Sequence, residues 1–363
     1  MTVTVPLIDL AAAHAEIAEE VHDGFERVIA NAAFIHGAEV TAFEEEYAAF
    51  CATAHCVSLA NGTDAVELAL RAIGIGPGSQ VVLPANTFTA TAGAVMRIGA
   101  QPVPCDVTPD SLLIDPAAIP PWADAIIAVH LYGRPAPMQA ILAAAGDIPV
   151  VEDAAQFHSA APTIRGTVAA TSFYPGKNLG AYGDAGAIIT DNPELARHVR
   201  LLANHGSERK YEHLMPGFNS RLDTLQAVVL RAKLRRLNAA NQARRAAAGR
   251  YNELLAGLPI RLPEITPQDV WHQYVIRVHE RDAVAAGLDK LGVQTGVHYP
   301  KPIHLLPAYA HLGYGPGDFP VAEAAATQVL SLPMHPHLTE EQQRYVADAL
   351  HRVLWTAHAY RSR

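Results

Sequence analysis

The stretch Ser172–Thr190, SFYPGKNLGAYGDAGAIIT, decides how this chain is read. It sets Lys177 in a short turn between two runs, TSFYP and GAIIT, that read as buried strands. The turn carries Gly176, Gly180, Gly183 and Gly186 and almost no other charge. A lysine in a tight, dry turn costs solvation energy. An amine so desolvated loses its proton more readily and attacks carbonyls, which makes Schiff-base chemistry one reading of Lys177. A surface lysine beside a glycine turn is the other.

Outward from this turn, strand and helix patterns alternate. Upstream, VVLP, PVPCDV, AIIAV and PVVED read as short apolar strands, with helices over Asp64–Ala72 and TATAGAVMRIGA between them. Downstream, NPELARHVRLLANHG is a helix closed by glycine. Such alternation predicts an α/β fold with a mostly parallel sheet between helices. Residues up to about Phe50 read as helical. After Arg221 one long helical pattern, with its basic residues on the outer face, links a large domain (1–235) to a smaller α+β domain (236–363). In the latter, HQYVIRV is a strand, DAVAAGLDKLG a helix, and Glu340–Trp355 a final amphipathic helix.

The bulk numbers narrow the function classes. With 363 residues, half of them hydrophobic, and a net charge of −9, the chain suits a well-buried enzyme. No basic stripe points to nucleic acid. No apolar run is long enough to span a bilayer, and no secretory signal is evident. Three cysteines (Cys51, Cys56, Cys105) fit small buried hydrophobes in a reducing cytoplasm. No metal-site spacing appears, and His335 and His337 in a proline-rich loop read as surface residues.

Four features stand in line with Lys177. Asn61-Gly62-Thr63-Asp64 opens a helix that Thr63 or Asp64 can cap; it is either an ordinary start or a phosphate-binding end. Phe88, in LPANTFTATA, sits in a loop at the carboxyl end of a strand, where ligands of open α/β sheets bind, and reads either as core or as a stacking ring. PVVEDAAQFHSA ends an apolar strand on Glu152-Asp153; Asp153 is an N-cap or the partner of a cation such as a pyridinium, with Gln156 in reach. Asn219 and Arg221, before the long helix, are polar loop residues able to meet a phosphate or carboxylate.

Taken together and in this order, these blocks and His298-Tyr299-Pro300 resemble the sugar aminotransferases of the DegT/DnrJ/StrS group, which are pyridoxal-phosphate enzymes of fold type I. The resemblance runs from about Ile8 to Leu354. It implies that Lys177 bonds the aldehyde of pyridoxal 5'-phosphate and that Asp153 pairs with the ring nitrogen. Gln156 would bond the phenolic oxygen and Phe88 stack on the ring. Gly62 and Thr63 would bind phosphate with Ser172, and Asn219 would reach the cofactor of the neighbouring subunit in a homodimer. His298 and Tyr299 would face the sugar. Arg209, Lys210, Tyr211, Arg221 and Lys301 are further substrate candidates, or solvated surface charges.

The implied reaction moves an amino group from L-glutamate, through the pyridoxamine form, to a nucleotide-linked keto sugar. HLYGRPAP, NHGSERKY and HYPKPIHLLPAY look most like enzymes acting at carbon three of dTDP-keto-deoxyhexoses. Carbon-four and keto-inositol aminotransferases are runners-up. A sugar dehydratase of this fold would carry histidine at the Lys177 position. A non-catalytic regulatory homologue would be favoured by loss of Lys177 or Asp153, and neither is lost. A nicotinamide dehydrogenase fails because GIGPG follows a helix rather than a strand.

Overall fold

The computed structural model describes residues 4–160 and 164–361. Three helices open the chain: α1 (Leu10–Ala15), α2 (Ala18–Ala30) and α3 (Ala38–Phe50). Then come β1 (His55–Leu59), α4 (Gly62–Ala72), β2 (Gln80–Pro84), α5 (Thr89–Arg97), β3 (Gln101–Cys105), β4 (Ala125–Val129), α6 (Met138–Ala145) and β5 (Val150–Asp153). β6 (Val168–Ser172) and β7 (Gly186–Thr190) flank the Lys177 turn, and α7 (Pro193–Ala203) follows. The seven strands form one sheet in the order β1-β7-β6-β5-β4-β2-β3. β7 runs antiparallel to β6 and β1, and the pairings from β6 through to β3 are parallel.

Burial explains the strand assignments. Every residue of β4, AIIAV, is buried, as in a sheet covered on both faces. Each such Ile or Val contributes about 1.5–3 kcal/mol of transfer free energy. α7 begins where a side-chain acceptor waits: Asn192 accepts from Glu194 N and Leu195 N, with Pro193 as the first helical residue. The three cysteines are buried, and no disulfide joins them among the described residues.

Beyond α7 lies a hairpin, β8 (Ser207–Arg209) and β9 (Glu212–His213). The long helical pattern is not one helix. α8 (Thr224–Leu234) stops at Arg235, and α9 (Leu237–Leu254) starts again at once. Nor do all its basic residues face outward, because Arg244 is buried. β10 (Tyr274–Arg277), α10 (Arg281–Lys290), α11 (Pro320–Ala326), β11 (Val329–Leu332) and α12 (Glu340–Arg361) complete the chain, with β10 and β11 an antiparallel pair. A separate core joins α9, β10, β11 and α12, and Val5 from the far N-terminus is part of it. The start of the chain thus packs with the C-terminal unit, whereas the sequence reading put it in the large domain. Val5 N donates to Gly292 O, which is why the two ends meet.

Candidate active site

One edge of the sheet collects the chemistry. β1, β2, β4, β5 and β6 all end there, and β7 begins there. This is the edge at which open α/β sheets bind ligands. Lys177 lies in the connection from β6 to β7, and its backbone N donates to Tyr174 O at 2.8 Å. Burial pushes its ammonium down to about 8, against the pull of the Asp153 carboxylate. No hydrogen bond holds the amine among the described residues, which leaves it free to react.

Asp153 closes β5 and is buried. Its carboxylate accepts from Thr91 Oγ1 at 2.8 Å and Ala155 N at 3.2 Å. An ionised acid held by two donors is fixed in place to meet a third. Glu152, its neighbour, serves elsewhere. It accepts from His130 Nε2 at 2.8 Å and from Arg165 N and Gly166 N. His130 Nδ1 accepts from Ala136 N, so Nε2 is the nitrogen that donates to Glu152. Burial opposes charge on Glu152, but the His130 bond and the two backbone donors hold its carboxyl below the usual range.

Gln156 is oriented from its oxygen side. Tyr132 N donates to Gln156 Oε1, and Gln156 Nε2 donates to Tyr299 OH at 3.1 Å. Tyr132 OH in turn donates to His298 O. Phe88, half exposed, lies with its ring 5.5 Å from that of Tyr299. His298 Nδ1 shares a hydrogen bond with Ser331 Oγ at 2.8 Å, and burial followed by the Lys177 charge drives the ring down to about 4. Phe88, Gln156, His298 and Tyr299 are therefore brought together around Lys177 and Asp153.

The start of α4 is a tight cradle. Asn61, rather than Thr63 or Asp64, is the cap: its Oδ1 accepts from Asp64 N at 2.8 Å. Asp64 instead accepts from Ser220 Oγ and pairs with Arg97. A Cβ on Gly62 would sit 2.5 Å from Ser172 Cβ, so only glycine lets α4 approach β6 this closely. No acceptor meets Gly62 N or Thr63 N among the described residues, and both lie at the positive end of the helix. These donors, a half-buried, desolvated amine and a fixed carboxylate form a donor set that fits pyridoxal phosphate.

Other sequence candidates lie apart. Arg209, Lys210 and Tyr211 are exposed at the β8–β9 hairpin, where Lys210 Nζ stands 5.2 Å from the Tyr211 ring. No contact joins them, or exposed Lys301, to Lys177 or Asp153 among the described residues. Asn219 is exposed, and Arg221 Nη1 donates to Asn204 Oδ1 at 3.3 Å. His335 is buried, not a surface residue, while His337 is half-buried and pairs with Glu16.

Several site residues were missed. Thr91 was inside a quoted block, but a threonine in a helix gives no sign of a buried carboxylate 62 positions away. His158 shares a hydrogen bond with Thr171 Oγ1, and burial with the Lys177 charge takes it down to about 3. His272 Nδ1 bonds Asn178 Oδ1 at 3.2 Å, and burial pushes its pKa well down. Tyr132 adopts φ 63°. Gly133, beside it, leaves no room for a Cβ, which would lie 2.5 Å from His272 N. The HLYG block hid this close approach because only the fold brings residues 270–273 alongside it.

Comparison with known proteins agrees with the geometry. The model of the DegT/DnrJ/EryC1/StrS aminotransferase family matches residues 15–351. The chain is 47% identical to the erythromycin biosynthesis sensory transduction protein EryC1 of Saccharopolyspora erythraea, over 95% of this chain and 98% of that one. It is 46% identical to the dTDP-3-amino-3,4,6-trideoxy-alpha-D-glucose transaminase of Streptomyces venezuelae, over 96% of each. The crystal structure of S. venezuelae DesV in complex with a ketimine intermediate superposes with a TM-score of 0.91 at 44% identity, covering 96% of this chain and 98% of that one.

Proposed function

The chain belongs to the DegT/DnrJ/EryC1/StrS aminotransferase family, and from that premise we propose that it aminates carbon three of a dTDP-linked 3-keto-6-deoxyhexose at the expense of L-glutamate. It is a pyridoxal-phosphate enzyme of fold type I. The observation that carries the reading is Lys177, a desolvated amine facing the buried carboxylate of Asp153.

When bound, the cofactor supplies an aldehyde to carry the amino group and a ring that accepts an electron pair. Asp153, fixed by Thr91 and Ala155, holds a proton on the ring nitrogen. Lys177 moves a proton at the carbon next to the transferred nitrogen, a task suited to an amine with a pKa near 8. Gln156 has its oxygen engaged by Tyr132 and keeps Nε2 as donor for the phenolic oxygen. Phe88 covers the ring face. Gly62, Thr63 and Ser172 anchor the phosphate. His298 and Tyr299 line the sugar side. Arg209, Lys210, Tyr211, Arg221 and Lys301 are proposed to meet the nucleotide.

A homodimer is part of the proposal. Asn219 is exposed, as a residue serving a neighbouring subunit's cofactor must be. Ile8, Tyr174 and Tyr182 are exposed near the Lys177 turn, an apolar surface suited to a second copy. Buried cysteines with no disulfide among the described residues support a cytoplasmic setting. No helix of the described residues is long and apolar enough to cross a membrane. We place the boundary between large and small domains at the α8–α9 break, with Val5 joining the small one.

The S. erythraea relative is called a sensory transduction protein, which suggests a regulatory reading. The retained pair Lys177 and Asp153 favours catalysis. The test is optical and chemical. The purified protein should be yellow and should bleach with L-glutamate. The bleached form should then aminate a keto sugar from a nucleotide-linked panel, with the amine located by NMR. A colourless protein that takes up no cofactor sinks the reading. An amine at carbon four corrects the position.

A further inference from the structure

Beside the Lys177 turn lies a second recess, whose wall includes Lys177 but neither Asp153 nor Gln156. Its cavity volume is about 60 Å³, between the N-terminal segment, the turn, α8, α9 and the loop at His335. Arg244 lines it and is buried, yet its Nη1 donates only to Met334 O at 3.0 Å and Trp271 O at 3.4 Å. Lys233, on the same wall, donates to Gly180 O at 2.7 Å. No carboxylate pairs with either cation among the described residues. The two carboxylates on the wall are occupied: Asp9 caps α1, and Glu16 faces His337. Arg236 is paired with Glu20.

Buried charges are normally paired, and an uncompensated one is strongly destabilising. Unpartnered polar atoms on the same wall sharpen the point. Arg244 Nε and both ring nitrogens of His335 are buried and have no hydrogen-bond partner. Burial and the Arg244 charge push His335 down to about 4, so the ring is neutral and offers one N–H. Burial also lowers Lys233 to about 8 and Arg244 to about 10, as expected of cations that lack a counter-ion. Water could satisfy the hydrogen bonds but could not neutralise the charge.

We propose that this recess is a noncovalent oxyanion site, taking a small carboxylate or phosphate on Arg244, Lys233 and His335. It lies against the backbone of the Lys177 turn, so its occupant would brace Pro175–Asn178 from behind. The inference stands apart from the sugar specificity proposed above.

The experiment is isothermal titration of the full-length, cofactor-loaded protein, whose catalytic phosphate site is already filled. Inorganic phosphate and glutarate are titrated separately. One saturable site is expected; the tighter of the two anions identifies the source. Arg244→Met and His335→Phe should each weaken that site at least tenfold, with the visible cofactor band unchanged. His335→Phe keeps the test open if Arg244→Met does not fold. Absence of saturable binding of both anions, or unchanged affinity in the folded variants, overturns the proposal. Failure here with a normal response to L-glutamate would leave the enzyme reading intact.

Discussion

Replacing Lys177 with methionine should destroy activity and make the cofactor-free protein more stable. The ordinary lysine value of 10.5 falls to about 8 in the folded chain because burial disfavours the ammonium. Each pK unit is worth about 1.4 kcal/mol, so a protonated Lys177 costs the fold roughly 3 kcal/mol at neutral pH. Partial solvent contact at this half-buried residue trims the figure to about 2 kcal/mol. Methionine fills similar space without charge. Between pH 8 and 10.5 the unfolded chain binds more protons at this position than the folded one, so wild-type stability rises with pH there. The advantage of Lys177→Met should therefore be greatest below pH 8 and fade toward pH 10.5. Urea unfolding of both cofactor-free proteins at pH 7, 9 and 10.5 measures it. Equal stability at pH 7, or a gap that ignores pH, would refute the claim that this amine is held in a dry site at the fold's expense.

Four other changes probe the same site. Asp153→Asn should slow the glutamate half-reaction at least a hundredfold in stopped-flow absorbance, and an unchanged rate removes Asp153 from the chemistry. Thr91→Val deletes one of two donors to that carboxylate and should cost about 1 kcal/mol, near fivefold in the same assay. Gly62→Ala pushes a methyl into Ser172 and should weaken cofactor retention on dialysis at least tenfold; full retention would mean that α4 yields easily. Asn219→Ala mixed with Lys177→Ala should give dimers with one good site and one doubly damaged site. Activity that simply averages the parents would count against sharing across subunits.

Strands β2 to β5 and β7 were readable because each is a short apolar run bounded by glycine, proline or a polar cap; β6 runs Val168–Ser172, earlier than TSFYP suggests, because the alanines of VAATS are a weak apolar signal and Tyr174 is exposed. Lys177 and Asp153 stood out for the same physical reason: a charge among apolar neighbours is expensive, and its position is seldom idle. Residues whose role depends on distant partners were opaque. Thr91 is an ordinary helical threonine until β5 brings Asp153 to it. Arg244 sits in a run of basic residues, and nothing in the periodicity separates it from the solvated ones, yet the fold buries it against the carbonyls of Trp271 and Met334. His335 looked like a loop histidine because proline-rich loops are usually wet, but this one is covered by α9 and the N-terminal segment.

The end of β5 carries two acids in succession, and the pleat sends them to opposite faces. One side meets the amine, while the other grips His130 and the return toward β6. Insertion or loss of a single residue within that strand would exchange their destinations. A buried imidazole would then confront the wrong carboxylate, and the catalytic face would lose its anion even though the composition of the strand had barely changed. The enzyme's proton chemistry therefore rests on parity along four residues, a constraint that no substitution at Lys177 itself would reveal.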